Sequence, residues 1–288
     1  MKKPQVQTYL LAVLGMATLV LSSCQKEDVQ TPEPDARETL DASVLLQADE
    51  SEWISEEIVS IGEEVYAAEE LSVTGKGIAF SGFIPECVTI TTVRTGTTVE
   101  KTIDFGAGCE MPNGNLLSGM IALTYQADVE AATQTLELAL SGFAFNGISV
   151  EGGAEVFRTR VNANGNPQSE VTSAFEASWP EGERASWTGN RTREWVEGYG
   201  SGFWGDNVFL ISGSQTFTGP AGNTYSRTVL ETLRRELSCR FLVSGVLEVS
   251  RNDQAAELDF GDGSCDAFGT LTYPDGTSET VTLRRIRK

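Results

Sequence analysis

Between Cys239 and Cys265 the chain can fold in few ways. Phe241, Val243, Leu247 and Val249 alternate with Arg240, Ser244, Glu248 and Ser250, the two-residue period of a half-buried strand. Asn252-Asp253 follow, two residues that tolerate positive φ and bond their own backbone in turns. A two-residue turn there sets Val249 opposite Ala256, Leu247 opposite Leu258 and Gly245 opposite Phe260, so the large apolar side chains share one face. The same register puts Cys239 opposite Asp266, and a one-residue bulge in Gly261-Asp262-Gly263 would bring Cys239 and Cys265 together. An earlier stretch, Cys87 to Cys109, repeats the pattern: Asp104-Phe105-Gly106-Ala107-Gly108-Cys109 matches Asp259-Phe260-Gly261-Asp262-Gly263-Ser264-Cys265. There a tight turn at Gly96-Thr97 pairs Ile90 with Ile103, whereas a longer loop pairs Cys87 with Cys109 directly. The residues leave both registers open.

The same alternation continues elsewhere. Gly75–Phe83, Ser118–Ala127, Thr135–Phe145 and Asn207–Phe217 are rich in β-branched and aromatic residues. Asn113-Gly114, Asn146-Gly147, Asn164-Gly165, Gly222-Asn223 and Asp275-Gly276 punctuate them as turns. The expected fold class is all-β: an antiparallel meander over 72–288 that closes into a sandwich or a partly open barrel to hide its apolar faces. The two Cys hairpins allow either one continuous sheet or two related lobes, 72–170 and 171–288.

One helix is expected, over 49–71. Ile54, Ile58, Ile61 and Val65 recur at helical spacing, with Glu56, Glu57, Glu63 and Glu64 facing elsewhere. Asp49 can cap it, with Glu52 three residues on. Gly62 costs it about 1 kcal/mol relative to alanine. The apolar stripe is expected to pack on the sheet, with docking on a partner as the rival reading. Residues 24–48 read as an acidic tether, centred on Thr31-Pro32-Glu33-Pro34-Asp35. From Cys24 to Glu70 there are 15 acids and 2 bases, so more than half of the net charge of −20 sits on tether and helix. That charge excludes a nucleic-acid partner, which needs a basic footprint. The absence of histidine removes Ser-His-Asp and Cys-His catalysis.

Residues 1–23 read as a targeting segment: Lys2-Lys3, then an apolar run from Leu10 to Leu21 too short to remain as a membrane span. Leu21-Ser22-Ser23-Cys24 resembles the lipobox of bacterial lipoproteins. The resemblance implies that Cys24 is lipidated on sulfur and becomes the mature N-terminus. Gln25-Lys26-Glu27-Asp28 is similar to the export tag of surface lipoproteins in Bacteroidota-type bacteria. It implies an outer-membrane protein facing the cell exterior, with the membrane as partner through its lipid. With Cys24 acylated, four cysteines remain, and an even number in an exported chain favours disulfides. Of the three connectivities, Cys87–Cys109 and Cys239–Cys265 have the shortest loops and suit the repeated context.

Two clusters could carry binding. Trp179, Trp187, Trp195 and Trp204, with Tyr199, crowd one span and are weighed as a glycan-stacking platform against packing in the core. Arg191, Arg193, Glu194 and Asp206 would supply polar contacts to such a ligand. Asp259, Asp262 and Asp266 surround the last Cys loop and are weak candidates for calcium, the alternative being that they bond loop amides. No cofactor and no catalytic residue is expected: the nucleophile elbow, the phosphate loop and the dinucleotide fingerprint are all missing from the sequence. The reading is a lipid-anchored surface protein, a binding or structural module with a glycan or surface protein as partner. The alternative is a cell-surface glycan hydrolase using paired carboxylates.

Overall fold

A computed structural model describes Leu40 and residues 42–73 and 84–283. The signal segment 1–23, Cys24, most of the tether and the strand expected over Gly75–Phe83 lie outside the described residues.

Fourteen antiparallel strands follow in chain order. They are β1 (Thr89–Thr95), β2 (Thr98–Asp104), β3 (Cys109–Glu110), β4 (Leu116–Gln126), β5 (Thr133–Phe145), β6 (Ile148–Thr159) and β7 (Gln168–Ser178), then β8 (Arg184–Glu197), β9 (Val208–Thr218), β10 (Thr224–Glu236), β11 (Leu242–Arg251), β12 (Gln254–Asp262), β13 (Phe268–Thr272) and β14 (Ser278–Thr282). Each pairs with its neighbours in one open sheet, β1-β2-β4 through to β14, with the short β3 beside β4. The fold is a meander of sequential hairpins, because short turns can join only antiparallel neighbours. The region where a boundary between two lobes would fall holds β7, paired along its whole length with β6 and β8. The described strands therefore form a single sheet, not two.

The two Cys hairpins keep the predicted registers where the strands are regular. Val249 faces Ala256 and Leu247 faces Leu258, across a turn in which Asn252 and Asp253 both take positive φ. The bulge comes earlier than expected: Val246 pairs with Asp259 and Ser244 with Asp262, so Gly245 faces Phe260 and Gly261 together. In the first hairpin the tight turn prevails, with Ile90 opposite Ile103. Both disulfides form, Cys87–Cys109 and Cys239–Cys265. The repeated Asp-Phe-Gly does the same work twice. Gly106 N–H donates to Asp104 Oδ1 and Gly261 N–H to Asp259 Oδ1, each at 2.8 Å, while Phe105 and Phe260 go into the core.

Strict alternation gives the sheet two unlike faces. On β7, Val171, Phe175 and Ala177 point inward and are buried, while Glu170, Thr172, Ala174 and Glu176 point to solvent. Wrapping so many strands round one core requires sharp local bending, which bulges and glycines supply. Register shifts fall in β4, β5, β10 and β11. Between them Gly152, at φ +113, lies so close to β7 that a β-carbon would sit 2.1 Å from the Ala174 carbonyl oxygen.

Inside the curled sheet runs α1 (Ala42–Val73). It starts seven residues before the predicted Asp49, because Leu45 and Ala48 are also covered by the sheet and extend the buried face. Asp49 is therefore inside the helix rather than its cap. Every residue from Ser51 to Glu63 is buried. Ile54, Ile58, Ile61 and Val65 pack as expected, but Glu56, Glu57 and Glu63 are buried too, where a polar face had been expected. Gly62 has a packing reason: a β-carbon there would lie 2.5 Å from Cδ2 of Leu138 on β5. The helix thus gives up propensity for close contact with the sheet.

Candidate functional site

The burial of helix glutamates is possible because the inner face of the sheet carries arginines. β8 presents Trp187, Arg191, Arg193 and Trp195 inward, β6 presents Arg158, and β10 presents Arg227 and Arg235. Arg191 Nε and Nη2 donate to the two oxygens of Glu52 at 2.8 and 2.6 Å, the bidentate fork of guanidinium on carboxylate. Arg193 Nε donates to Glu56 at 2.8 Å and its Nη2 to Ser60 Oγ at 2.8 Å, while its Nη1 meets Glu63. Arg158 reaches Glu70 at 2.9 Å, and Arg235 reaches Glu57 at 3.3 Å. Arg227 donates to Ser51 Oγ at 2.7 Å and to the Ala48 carbonyl, and lies 3.7 Å from Glu52. For these five buried arginines, every ion-paired carboxylate comes from the helix and none from the sheet.

Aromatic rings complete the lining. The Arg235 guanidinium lies 3.9 Å from the Trp53 ring centroid and that of Arg193 lies 4.2 Å from Phe209. Trp187 Nε1 donates to Ser55 Oγ at 2.7 Å.

The electrostatics follow from burial set against these partners. Burial pushes the Glu52 carboxyl up, but Arg191 and Arg227 more than offset it and hold it below the ordinary range. Burial prevails at Glu56, which is raised despite Arg193. Arg227 and Arg235 are pushed down by burial to about 10, so both remain cations at neutral pH. The chemistry here is charge compensation. An arginine that stays protonated cannot act as a base.

At the C-terminal end of α1 the network reaches half-exposed ground. Glu69 accepts from Tyr125 at 2.5 Å and faces Lys101 at 2.8 Å and Arg94 at 2.5 Å. Burial alone would raise its carboxyl, but bonds from Lys101, Tyr125 and Arg94 bring it down to about 2. A carboxyl lowered on folding stabilises the protein above its unfolded titration range, and loses that contribution as pH falls toward 2. Glu69→Gln is therefore expected to cost about 1 kcal/mol at neutral pH, a value kept small by solvent screening. The gap from wild type should close below pH 3; urea melts at both pH values check it, and a gap that stays constant would refute the pairing.

Beside this end lies the β8–β9 loop, 198–207, with a short 3-10 turn at Trp204–Asp206. Asn207 Nδ2 donates to Glu64 Oε1, and Ser201 Oγ donates to Asp206 Oδ1 at 2.9 Å. Burial pushes the Glu64 carboxyl up to about 8; Arg158 and Asn207 oppose the rise and Asp206 adds to it.

No family model, curated protein or solved structure matches this chain. The site must be read from its own chemistry.

Two of the four tryptophans weighed as a stacking platform are turned into the core. Trp187 and Trp195 are buried on the inner face, since they share strand parity with Val171 and Phe175 on the neighbouring β7. Trp179 and Trp204 are half-buried against the same core, and Trp179 Nε1 donates to Glu50 at 2.9 Å. Tyr199 meets Trp195 edge-on at 5.0 Å and donates to Glu70 at 2.9 Å. Arg191 and Arg193, expected to contact a ligand, face the helix. Glu194 instead faces outward and accepts from Asn162, Asn164 and Asn166 at 2.9–3.0 Å.

The three aspartates of the last Cys loop hold turns. Asp259, Asp262 and Asp266 accept the N–H groups of Gly261, Ser264 and Phe268 at 2.8, 3.2 and 2.9 Å. Cys24 lies outside the described residues.

The ion-paired interior was missed by sequence reasoning, although it left a signal. Arg191 and Arg193 sit at the same parity as Trp187 and Trp195, which puts charge on the apolar face of a strand. A helix with glutamates on every side gives the complementary half of that signal.

Proposed function

We propose that this chain is a lipid-anchored surface lipoprotein and acts as a non-catalytic binding or structural module. The observation that carries the reading is the N-terminal sequence: Lys2-Lys3, the apolar run to Leu21, and Leu21-Ser22-Ser23-Cys24 followed by an acidic tether. Two disulfides suit a chain that leaves the reducing cytosol. The outward positions of β7 and β8 are mostly Thr, Ser, Asn and Glu, which suits a body standing in water at the end of its tether. The buried helix glutamates 52, 56, 57, 63 and 70 are taken up by arginines. Glu137 and Glu155 face each other across β5 and β6 in an outer groove of about 640 Å³, and among the described residues no hydrogen bond or ion pair holds either side chain. With Trp187 and Trp195 turned inward, a partner would meet polar strand faces and loops, not a wall of rings.

The test is phase partition in a cloud-point detergent. The wild-type protein is expected in the detergent phase and Cys24→Ala in the aqueous phase or as an unprocessed precursor. A processed Cys24→Ala protein that stays with detergent would overturn the anchor. Protease treatment of intact cells should remove the wild-type body if it faces outward, and protection from protease would refute that orientation.

A further inference from the structure

Eight glutamates of α1 meet the sheet or its loops: 50, 52, 56, 57, 63, 64, 69 and 70. Six of them have an arginine or lysine at ion-pair distance; among the described residues Glu64 has none. Its partner is an amide, the Nδ2 of Asn207. That bond directs the Asn207 Oδ1 away from Glu64. Asn207 is 2% exposed, and its Oδ1 accepts no hydrogen bond. A buried carbonyl oxygen left so is costly and calls for a partner.

Other oxygens gather at the same spot. A β-carbon built on Gly198 would lie 2.3 Å from Asn207 Oδ1, 2.6 Å from Asp206 Oδ1 and 2.7 Å from the Asp206 carbonyl oxygen. Glycine at 198, with φ +85, is what lets the three converge. Ser201 Oγ stands 2.9 Å from Asp206 Oδ1 and adds a fourth oxygen. The cluster combines one orphaned carbonyl, one carboxylate and one main-chain carbonyl, with a second carboxylate behind it and no fixed cation.

We infer that this cluster is a calcium site in which Asp206, through Oδ1 and its carbonyl, and Asn207 Oδ1 are ligands and water completes the shell. Glu64 is a positioning residue: it accepts from the Asn207 amide so that the oxygen faces the ion. The ligand set is all oxygen and two of its three protein ligands are neutral, on an irregular loop. Calcium accepts such a shell, whereas magnesium demands near-octahedral geometry and the softer metals want nitrogen or sulfur. So few charged ligands place the affinity at about 10⁻⁴–10⁻³ M, the range of extracellular modules.

Terbium, which takes calcium sites and emits when a nearby tryptophan is excited, gives the readout. Trp204 stands two residues before Asp206. With the full-length processed protein, terbium emission is expected to be sensitised and then displaced by millimolar calcium, but not by equal magnesium. Asp206→Ala should abolish the emission, and Glu64→Leu, which removes the acceptor of the Asn207 amide, should weaken calcium about ten-fold. Circular dichroism shows whether Asp206→Ala keeps its fold; if it does not, Glu64→Leu carries the comparison. Emission that calcium does not displace, or equal calcium affinity in wild type and the folded variants, would overturn the site and leave a water on Asn207 in its place.

Discussion

Arg193→Ala is expected to lower unfolding stability by about 3–5 kcal/mol, the usual cost of removing one partner from a buried pair. Arg193 answers two carboxylates and one hydroxyl, on Glu56, Glu63 and Ser60, with its side chain fully enclosed. Its loss would leave two buried carboxylates short of a cation. They would have to take up protons or draw water inward, so the loss should shrink as pH falls toward the titration range of Glu56. Urea denaturation at pH 7 and pH 5 measures both effects. A combined Arg193→Met, Glu56→Leu, Glu63→Leu variant should recover most of the loss, because apolar replacements of similar volume match or exceed buried ion pairs. A single-variant cost below 1 kcal/mol would show that the pairs do not hold the helix in place.

Replacing Cys239 and Cys265 together by alanine should cost roughly 3 kcal/mol, from the chain entropy of a closed loop of this length. The separation is 26 residues, against 22 for Cys87 and Cys109, so the two bridges should contribute alike. Each bridge ties a Gly-rich loop to the start of a hairpin, and removing both should nearly double the loss, provided the sites are independent. Urea midpoints of the three variants test this. A loss for the double removal no larger than for one alone would mean that the hairpins are coupled through the core.

The fold was legible where chemistry is local. Alternation and turn pairs located the hairpins, and Asn252-Asp253 fixed a register that holds as far as Leu247 and Leu258. The bulge was expected at Gly261–Gly263 and falls at Phe260-Gly261, because the sheet bends there as it curls and Gly245 on the facing strand takes positive φ. The disulfide partners were legible from repeated context. What the sequence concealed depends on contacts between residues far apart. Arg227 bonds Ala48 and Ser51 across 179 and 176 residues, and Arg191 bonds Glu52 across 139. Without those partners in view, glutamates on a helix read as a wet face and tryptophans in a cluster read as a platform. Asp206 was singled out for a sugar; its neighbour Asn207 had no signal of its own, since an orphaned carbonyl exists only once the loop is folded.

The acid-studded helix precedes every described strand, and this sets what each stage of folding exposes. Before the sheet closes, the glutamates of α1 keep an otherwise sticky segment dissolved and repel a second copy of it. Arg227 and Arg235 are synthesised last among the five cations, so the helix remains soluble in its own right until most of the sheet that will enclose it has been made. An aliphatic helix of the same shape would pack as well at the end, but would spend the interval seeking other greasy surfaces. The charges inside this protein thus serve the unfinished chain as much as the finished one.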